Sequence, residues 1–447
     1  MNIGQALPAL ILQDGEISLY GLAWARDMVI VGDRSPSHVM KAVMATGRFY
    51  DFYIGVYGGA PLAPNEMSRL MRQFYEARAL GNKVLGWKPA GKRTAKSDVR
   101  YASEFSKFCA GNFGFVSANP VEKKLVSDLN VSEQLLHYQG LNSRKEWNLL
   151  LHLTPTTDVG RGKIKQYSFT PQIRPQKQEY CHNYFPPEKV LPFLAAVENL
   201  RDLIAFLILF FGGLRISELL HIYVTDITAP HGLGNIKIAH PELSQHSWDD
   251  KFRGHQEGNR SQFLSERYGL TARNKLGLTD PLHAGWKGMN YTEGNYRAGF
   301  YWLLPEIEFL FAELHHRYLN EFRVGISNSH PYYFVNFQNE NYGSPLKISN
   351  LTKSFYRAAE RIGLKSSDRG VNPHGARHFY GHFCASYLKL PMEQTQIYLR
   401  HVQLTSTQVY YSIDPRIARA ELIKGHERLK EDIPEFLNQI ASVGGKI

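Results

Sequence analysis

Residues 203–211 read LIAFLILFF, an uninterrupted apolar run that ends on Gly212-Gly213 and is followed almost at once by Arg215. A helix that is apolar on every side has to be enclosed by other elements. The run is far short of the ~20 residues that cross a bilayer, so it predicts the central helix of a globular core. The glycines permit a sharp turn. Arg215, held against so apolar a segment, is expected to be partly buried with an anion as its partner. Glu218, three residues on, is placed to orient it.

Around that helix lies an ordinary soluble composition. Hydrophobic residues make up 43% and charged residues 21% of 447, which excludes a disordered, collagenous or coiled-coil chain and suggests two to three domains. Lys and Arg (52) outnumber Asp and Glu (41), a net charge of +11. Such a surplus favours a polyanionic partner, nucleic acid first and an anionic membrane surface second. Cys109, Cys181 and Cys384 are far apart and form neither a disulfide framework nor a CxxC knuckle. A reducing, cytoplasmic compartment is expected. The first twenty residues lack the basic start and the cleavage site of a signal peptide.

Along the chain, helical spacing is visible at 35–57 behind a Ser-Pro start and at 65–79, closing near Gly81. The basic stretch 87–100 is too rich in Lys, Gly and Pro to be core, and more helical text follows at 102–110 and 132–139. Residues 1–160 thus read as a mostly helical domain. Residues 161–183 read as a basic linker, in which Arg161, Lys163, Lys165, Arg174 and Lys177 alternate with prolines. The linker is either a solvated tether or a strap along a phosphate backbone. A new globular pattern opens at 184, with strands expected at 236–238 and 298–303. Between these strands, 241–285 is polar and reads as an insertion in a sheet hairpin. Helical text resumes at 306, with a loop at 327–346, and 412–447 forms an amphipathic tail.

Two further segments carry chemistry. In PHGARH (373–378), Pro373 starts a helix that brings His374 and Arg377 to one face near its positive end, which suits a phosphate. The plainer alternative is a cap and a surface ion pair. His374, His378 and His382 recur at a spacing that can ligate zinc. No HExxH glutamate or acidic third ligand accompanies them, so no metal is expected, and His378 and His382 are expected to pack or form hydrogen bonds. LRHVQLTSTQVYY (399–411) brings His401 ahead of Tyr410-Tyr411, a pair that in isolation reads as core packing.

Taken together, GLRISELL, HGARH and LRHVQLTSTQVY resemble the three catalytic boxes of the tyrosine recombinase (phage-type integrase) family. The resemblance covers about 185–412 and fits the N-terminal region only loosely. It implies a multidomain chain, with a helical N-terminal DNA-binding (core-binding-like) domain and a mixed α/β, mainly helical catalytic domain at 184–447. Together they would form a clamp around duplex DNA. It implies that Arg215 and Arg377 grip the scissile phosphate, that His374 binds phosphate and moves a proton, that His401 donates to the non-bridging oxygens, and that Tyr410 is the nucleophile. Lys287 is the best counterpart of the family's hairpin lysine, with Lys237 and Lys275 as rivals. DNA contacts are expected from Lys92, Arg93 and Lys96 and from the five basic residues of the linker. By the same resemblance the enzyme needs no cofactor, acts as a tetramer on two duplexes of double-stranded DNA, involves no membrane, and integrates or excises a mobile element in the cytoplasm, associated with the nucleoid. The alternatives are a type IB topoisomerase-like or hairpin-forming resolvase activity and an inactive DNA-binding protein of the same fold. Two departures stand out: Arg400 occupies a place where the family usually has glycine, and the span from Arg215 to His374 is longer than the common core.

Overall fold

The computed structural model describes residues 7–125, 134, 163–171, 183–250, 252–326, 329–337 and 339–411. The chain divides into two compact units, Met1–Lys177 and Gln178–Ile447.

In the first unit, α1 (Leu19–Ile30) is a helix that the periodicity did not predict, because its apolar residues lie all round rather than in one stripe. Trp24, Ala25 and Met28 nonetheless bury it against α2 (Pro36–Tyr57). The Ser-Pro start of α2 behaves as expected: the Ser35 side chain accepts from the His38 N–H, Pro36 opens the helix and Gly58 closes it. The third helix, α3 (Pro64–Leu80), runs close to its expected span. The fourth, α4 (Lys92–Phe113), corrects the reading of 87–100 as non-core. Its opening turns expose Lys92 and Arg93, but Ala95, Asp98 and Val99 are buried on the opposite face. Asp98 accepts from Arg48 (3.1 Å) and Arg78 (2.8 Å), pinning α4 to α2 and α3.

The expectation of a linker beginning at 161 is also corrected. Lys163–Tyr167 (β2) pairs antiparallel with Val121–Leu125 (β1), so this part of the basic stretch belongs to the first unit. Its two apolar residues, Ile164 and Tyr167, are three apart, so no period-two pattern marks a strand in the sequence. Arg161, Arg174 and Lys177, most of the helical text at 132–139 and the tail 412–447 lie outside the described residues.

The second unit is built on the apolar run. After α5 (Pro187–Ala195), α6 (Leu200–Phe211) is capped by Asn199 and buried from Ile204 to Phe211. Phe185, Phe193, Phe206, Phe210 and Phe355 interlock around it, with Phe193 and Phe355 centroids 4.7 Å apart. Each such ring removed from water contributes about 2–3 kcal/mol. A short helix, α7 (Ile216–Leu219), follows the glycine turn. Two small antiparallel pairs come next: β3 (Ile227–Thr228) with β4 (Asn235–Ile236), and β5 (Ile238–Ala239) with the later strand Arg297–Ala298.

The stretch 241–285 lies between two paired strands, β5 and Arg297–Ala298, and it is folded. It forms the hairpin of β6 (Gln245–Asp250) and β7 (Gly254–Asn259), then α8 (Arg260–Tyr268), and the chain returns to the sheet as β8 (Arg297–Ala298). Trp248, Phe263 and Leu264 pack with Tyr223 and Tyr332 into a satellite core. Arg260 pairs with buried Asp226, and Arg273 donates to the carbonyls of Leu282 (2.8 Å), Leu220 (3.0 Å) and Leu346 (2.8 Å). Beyond α9 (Pro305–Arg317), the expected loop at 327–346 contains the buried stretch Tyr332–Val335, bridged to Tyr223 and Pro345. Four consecutive apolar residues make this a core segment. The last helices among the described residues are α10 (Ile348–Arg361), α11 (Pro373–Ser386), α12 (Met392–Tyr398) and α13 (Thr405–Gln408).

Candidate active site

Glu218 is 2% exposed, at the centre of three guanidiniums. It accepts from the Arg215 backbone N–H at 2.9 Å and from the Arg215 side chain, and lies 3.8 Å from Arg377. Burial opposes ionisation of its carboxyl, but Arg377, Arg215 and Arg400 outweigh that and hold its pKa below the ordinary value. Arg377 and Arg400 are each 1% exposed. Arg377, on α11, donates to the Gly213 and Leu399 carbonyls, the latter at 2.5 Å, so it ties the glycine turn to the segment before His401. Arg400 donates to Gly212 (3.0 Å), Gly213 (3.1 Å) and Gly299 (3.3 Å). Burial lowers Arg377 to about 9 even beside Glu218.

The backbone accounts for this convergence. Gly213 has φ +62, and a Cβ there would lie 2.9 Å from the Tyr380 ring, so the turn that delivers Arg215 has no room for a side chain. Arg400, a non-glycine residue, also has a positive φ, 57. This left-handed backbone carries a strain of order 1 kcal/mol, offset by the guanidinium's hydrogen bonds.

Tyr410 is 8% exposed and closes the pocket. A Cβ on Gly381 of α11 would lie 2.8 Å from its ring, so a glycine in mid-helix makes room for the phenol. The Tyr410 hydroxyl meets His378 Nδ1 at 3.0 Å. The His401 ring lies parallel to that of Tyr410 with centroids 6.2 Å apart, and Thr407 holds its Nδ1 at 2.9 Å. His374 keeps part of its ring open to solvent and meets His378 edge-on at 4.5 Å. Burial and the neighbouring cations depress all three imidazoles, His401 to about 3 and His374 to about 4, so they are neutral at pH 7. Burial raises the Tyr410 phenol against the pull of Arg377 and Arg215, which keeps its proton on.

Five of the six expected catalytic residues therefore converge: Arg215, His374, Arg377, His401 and Tyr410. Lys287, the sixth, is exposed on an irregular segment between α8 and β8, and its charge reaches His374. Of its rivals, Lys237 sits between β4 and β5, and Lys275 pairs with Glu242 at 3.6 Å. Tyr411 faces away, donating to the Leu390 carbonyl at 2.6 Å. His382 leaves the histidine row, stacking on Tyr184 and bonding Ser386. Among the described residues no group of three His, Cys, Asp or Glu could hold a metal. The sequence reading missed the contact of His378 with Tyr410. Its signal was the place of His378 beside Arg377, one turn after His374.

In the first unit, Arg93, Lys96 and Arg100 line a cleft with Tyr167 and Phe169. Exposed Lys165 stands directly across the β1–β2 ribbon from exposed Lys123.

No family model matches this sequence, and no curated protein does. Solved structures of similar chain path exist at low identity. The Tn1549 transposon integrase in complex with transposon right end DNA is 14% identical, with 91% of this chain and 98% of that chain covered and a TM-score of 0.48. XerA recombinase is 13% identical over 91% of this chain and 97% of that chain, at 0.34. A lambda integrase dimer bound to a core site is 10% identical over 89% and 95%, at 0.43. The chemistry of the pocket therefore rests on its own residues.

Proposed function

We propose that this chain is a tyrosine-type site-specific DNA recombinase, which cuts and rejoins duplex DNA through a covalent 3′-phosphotyrosine to integrate or excise a mobile element. One observation carries the reading. Three buried or half-buried guanidiniums share one carboxylate, which leaves two positive charges unbalanced beside a buried phenol. Buried charge without a partner is costly, and a phosphodiester is an anion of the right size and shape to complete it.

On that reading Arg215 and Arg377 hold the non-bridging oxygens, where negative charge gathers as phosphorus is attacked. His374 and His401, neutral and able to donate, add hydrogen bonds. The Tyr410 oxygen forms the new bond to phosphorus as the bond to the 5′-oxygen breaks, and Lys287 gives that oxygen its proton. A 5′-hydroxyl from a partner duplex then attacks the phosphotyrosine, releasing Tyr410 and joining strands. Four protomers on two duplexes would carry out the exchange. The first unit supplies a cationic surface: Arg93, Lys96, Arg100 and the facing Lys123 and Lys165, a like-charged cross-strand pair that is unfavourable until an anion lies over it.

The test uses two labelled duplexes carrying repeats that flank the coding sequence. Exchange of label between them is expected, and Arg215→Ala should slow it by about 10²–10³-fold while duplex binding persists. Relaxation of supercoils without exchange would instead mark a topoisomerase, and binding without cleavage an inactive relative.

A further inference from the structure

Among the described residues the phenol has one hydrogen-bond partner, and it is not one of the residues to which the family resemblance gives a role. The His401 ring lies parallel to that of Tyr410, but its Nδ1 is engaged by Thr407, and His374 meets His378 rather than the hydroxyl. The hydroxyl lies 3.0 Å from His378 Nδ1, in hydrogen-bond range for direct proton transfer. Helix α11 fixes this contact from both sides. His378 and Gly381 are one turn apart, and the glycine lets the tyrosine ring approach the helix closely enough for its oxygen to reach the imidazole.

We propose that His378 is the acceptor of the Tyr410 phenolic proton during cleavage. The inference rests on the reading of Tyr410 as nucleophile given above. Nδ1 accepts, so Nε2 carries the hydrogen of the neutral ring. As the Tyr410 O–H bond breaks, the proton passes to Nδ1 and the ring becomes an imidazolium. The oxygen's electron pair forms the bond to phosphorus, the bond from phosphorus to the 5′-oxygen breaks, and that oxygen takes a proton from the Lys287 ammonium. In the rejoining step the attacking 5′-hydroxyl gives its proton to the neutral Lys287 amine as its oxygen bonds to phosphorus, and the imidazolium returns its proton to the departing phenolate. Burial and Arg377 keep His378 neutral in the resting protein, the state an acceptor needs.

The experiment follows covalent adduct formation by the full chain on a nicked duplex that traps the intermediate, in single-turnover conditions with protein in excess. His378→Gln should bind DNA and melt as the unaltered chain does, yet form adduct about 10²–10⁴-fold more slowly, the usual range for loss of a positioned base. The decisive measurement replaces Tyr410 by a fluorinated tyrosine of lower phenol pKa, which ionises without help. In that background His378→Gln should lose most of its defect. If His378→Gln melts lower than the parent, His378→Ala with added imidazole serves instead, and the rate should rise with imidazole concentration. Adduct formation by His378→Gln at the parental rate, a defect that the fluorinated tyrosine leaves unchanged, or no response to imidazole would overturn the proposal. If the unaltered chain forms no adduct at all, the nucleophile reading falls and this one with it.

Discussion

Glu218, His221 and His401 show how strongly single side chains in the second unit depend on charge state. His221 is buried with Nε2 2.9 Å from the Ala284 carbonyl, and burial together with Arg273 lowers it to about 3, as His401 is lowered. Both stand near 6.5 when the chain is unfolded, so on acidification the unfolded state takes up the proton first. The stability these rings contribute is complete above pH 6.5 and is lost as pH falls toward 3. Between pH 7 and pH 5 each should lose about 2 kcal/mol. Urea unfolding at the two pH values should show the loss, and His221→Gln should reduce it. Equal stability at pH 7 and pH 5 would contradict the buried, neutral state. At this scale much of the site was legible. Arg215, His374, Arg377, His401 and Tyr410 lie in the three short segments that resemble the family's boxes; local spacing alone pointed to a cap, an ion pair and core packing. The role of Arg400 was not legible, because a left-handed arginine anchored to glycine carbonyls depends on segments far away in sequence. Nor was that of His378, whose spacing from His374 pointed equally to packing.

Among the elements, α2, α3 and the apolar α6 were readable because each carries its own caps and a regular or continuous apolar pattern. The opening of α4 and strand β2 were hidden by their charge: Lys92, Arg93 and Lys165 occupy the exposed faces of regular elements and read, in sequence, as loop. The insertion looked polar because its core is shared, with Trp248 and Phe263 packing against Tyr223 and Tyr332 from outside it. Arg260 is its tether, pairing with Asp226 and lying 4.1 Å over the Tyr223 ring. Burial raises the Asp226 carboxyl in spite of that partner. Arg260→Met would leave Asp226 buried and unpaired, at a cost of about 3–5 kcal/mol. Chemical denaturation of the full chain measures this, and Arg260→Met with Asp226→Leu should recover most of it. A single variant as stable as the parent would mean that the insertion docks through its aromatic residues alone.

For the whole molecule, a net charge of +11 and two compact units, one with a basic cleft and ribbon and the other with a cation-rich phenol pocket, fit a protein that holds duplex DNA and acts on its backbone. The claim on which everything else depends is that one tyrosine of an adjacent pair performs the chemistry. Tyr410 enters the pocket and meets His378, while Tyr411 is tied to Leu390 and Thr395. Digestion and mass spectrometry of the adduct trapped on a nicked duplex would identify the linked residue. The nucleotide should be found on Tyr410, with Tyr410→Phe abolishing the adduct and Tyr411→Phe retaining it. Linkage through Tyr411, or an adduct that survives Tyr410→Phe, would contradict the proposed mechanism.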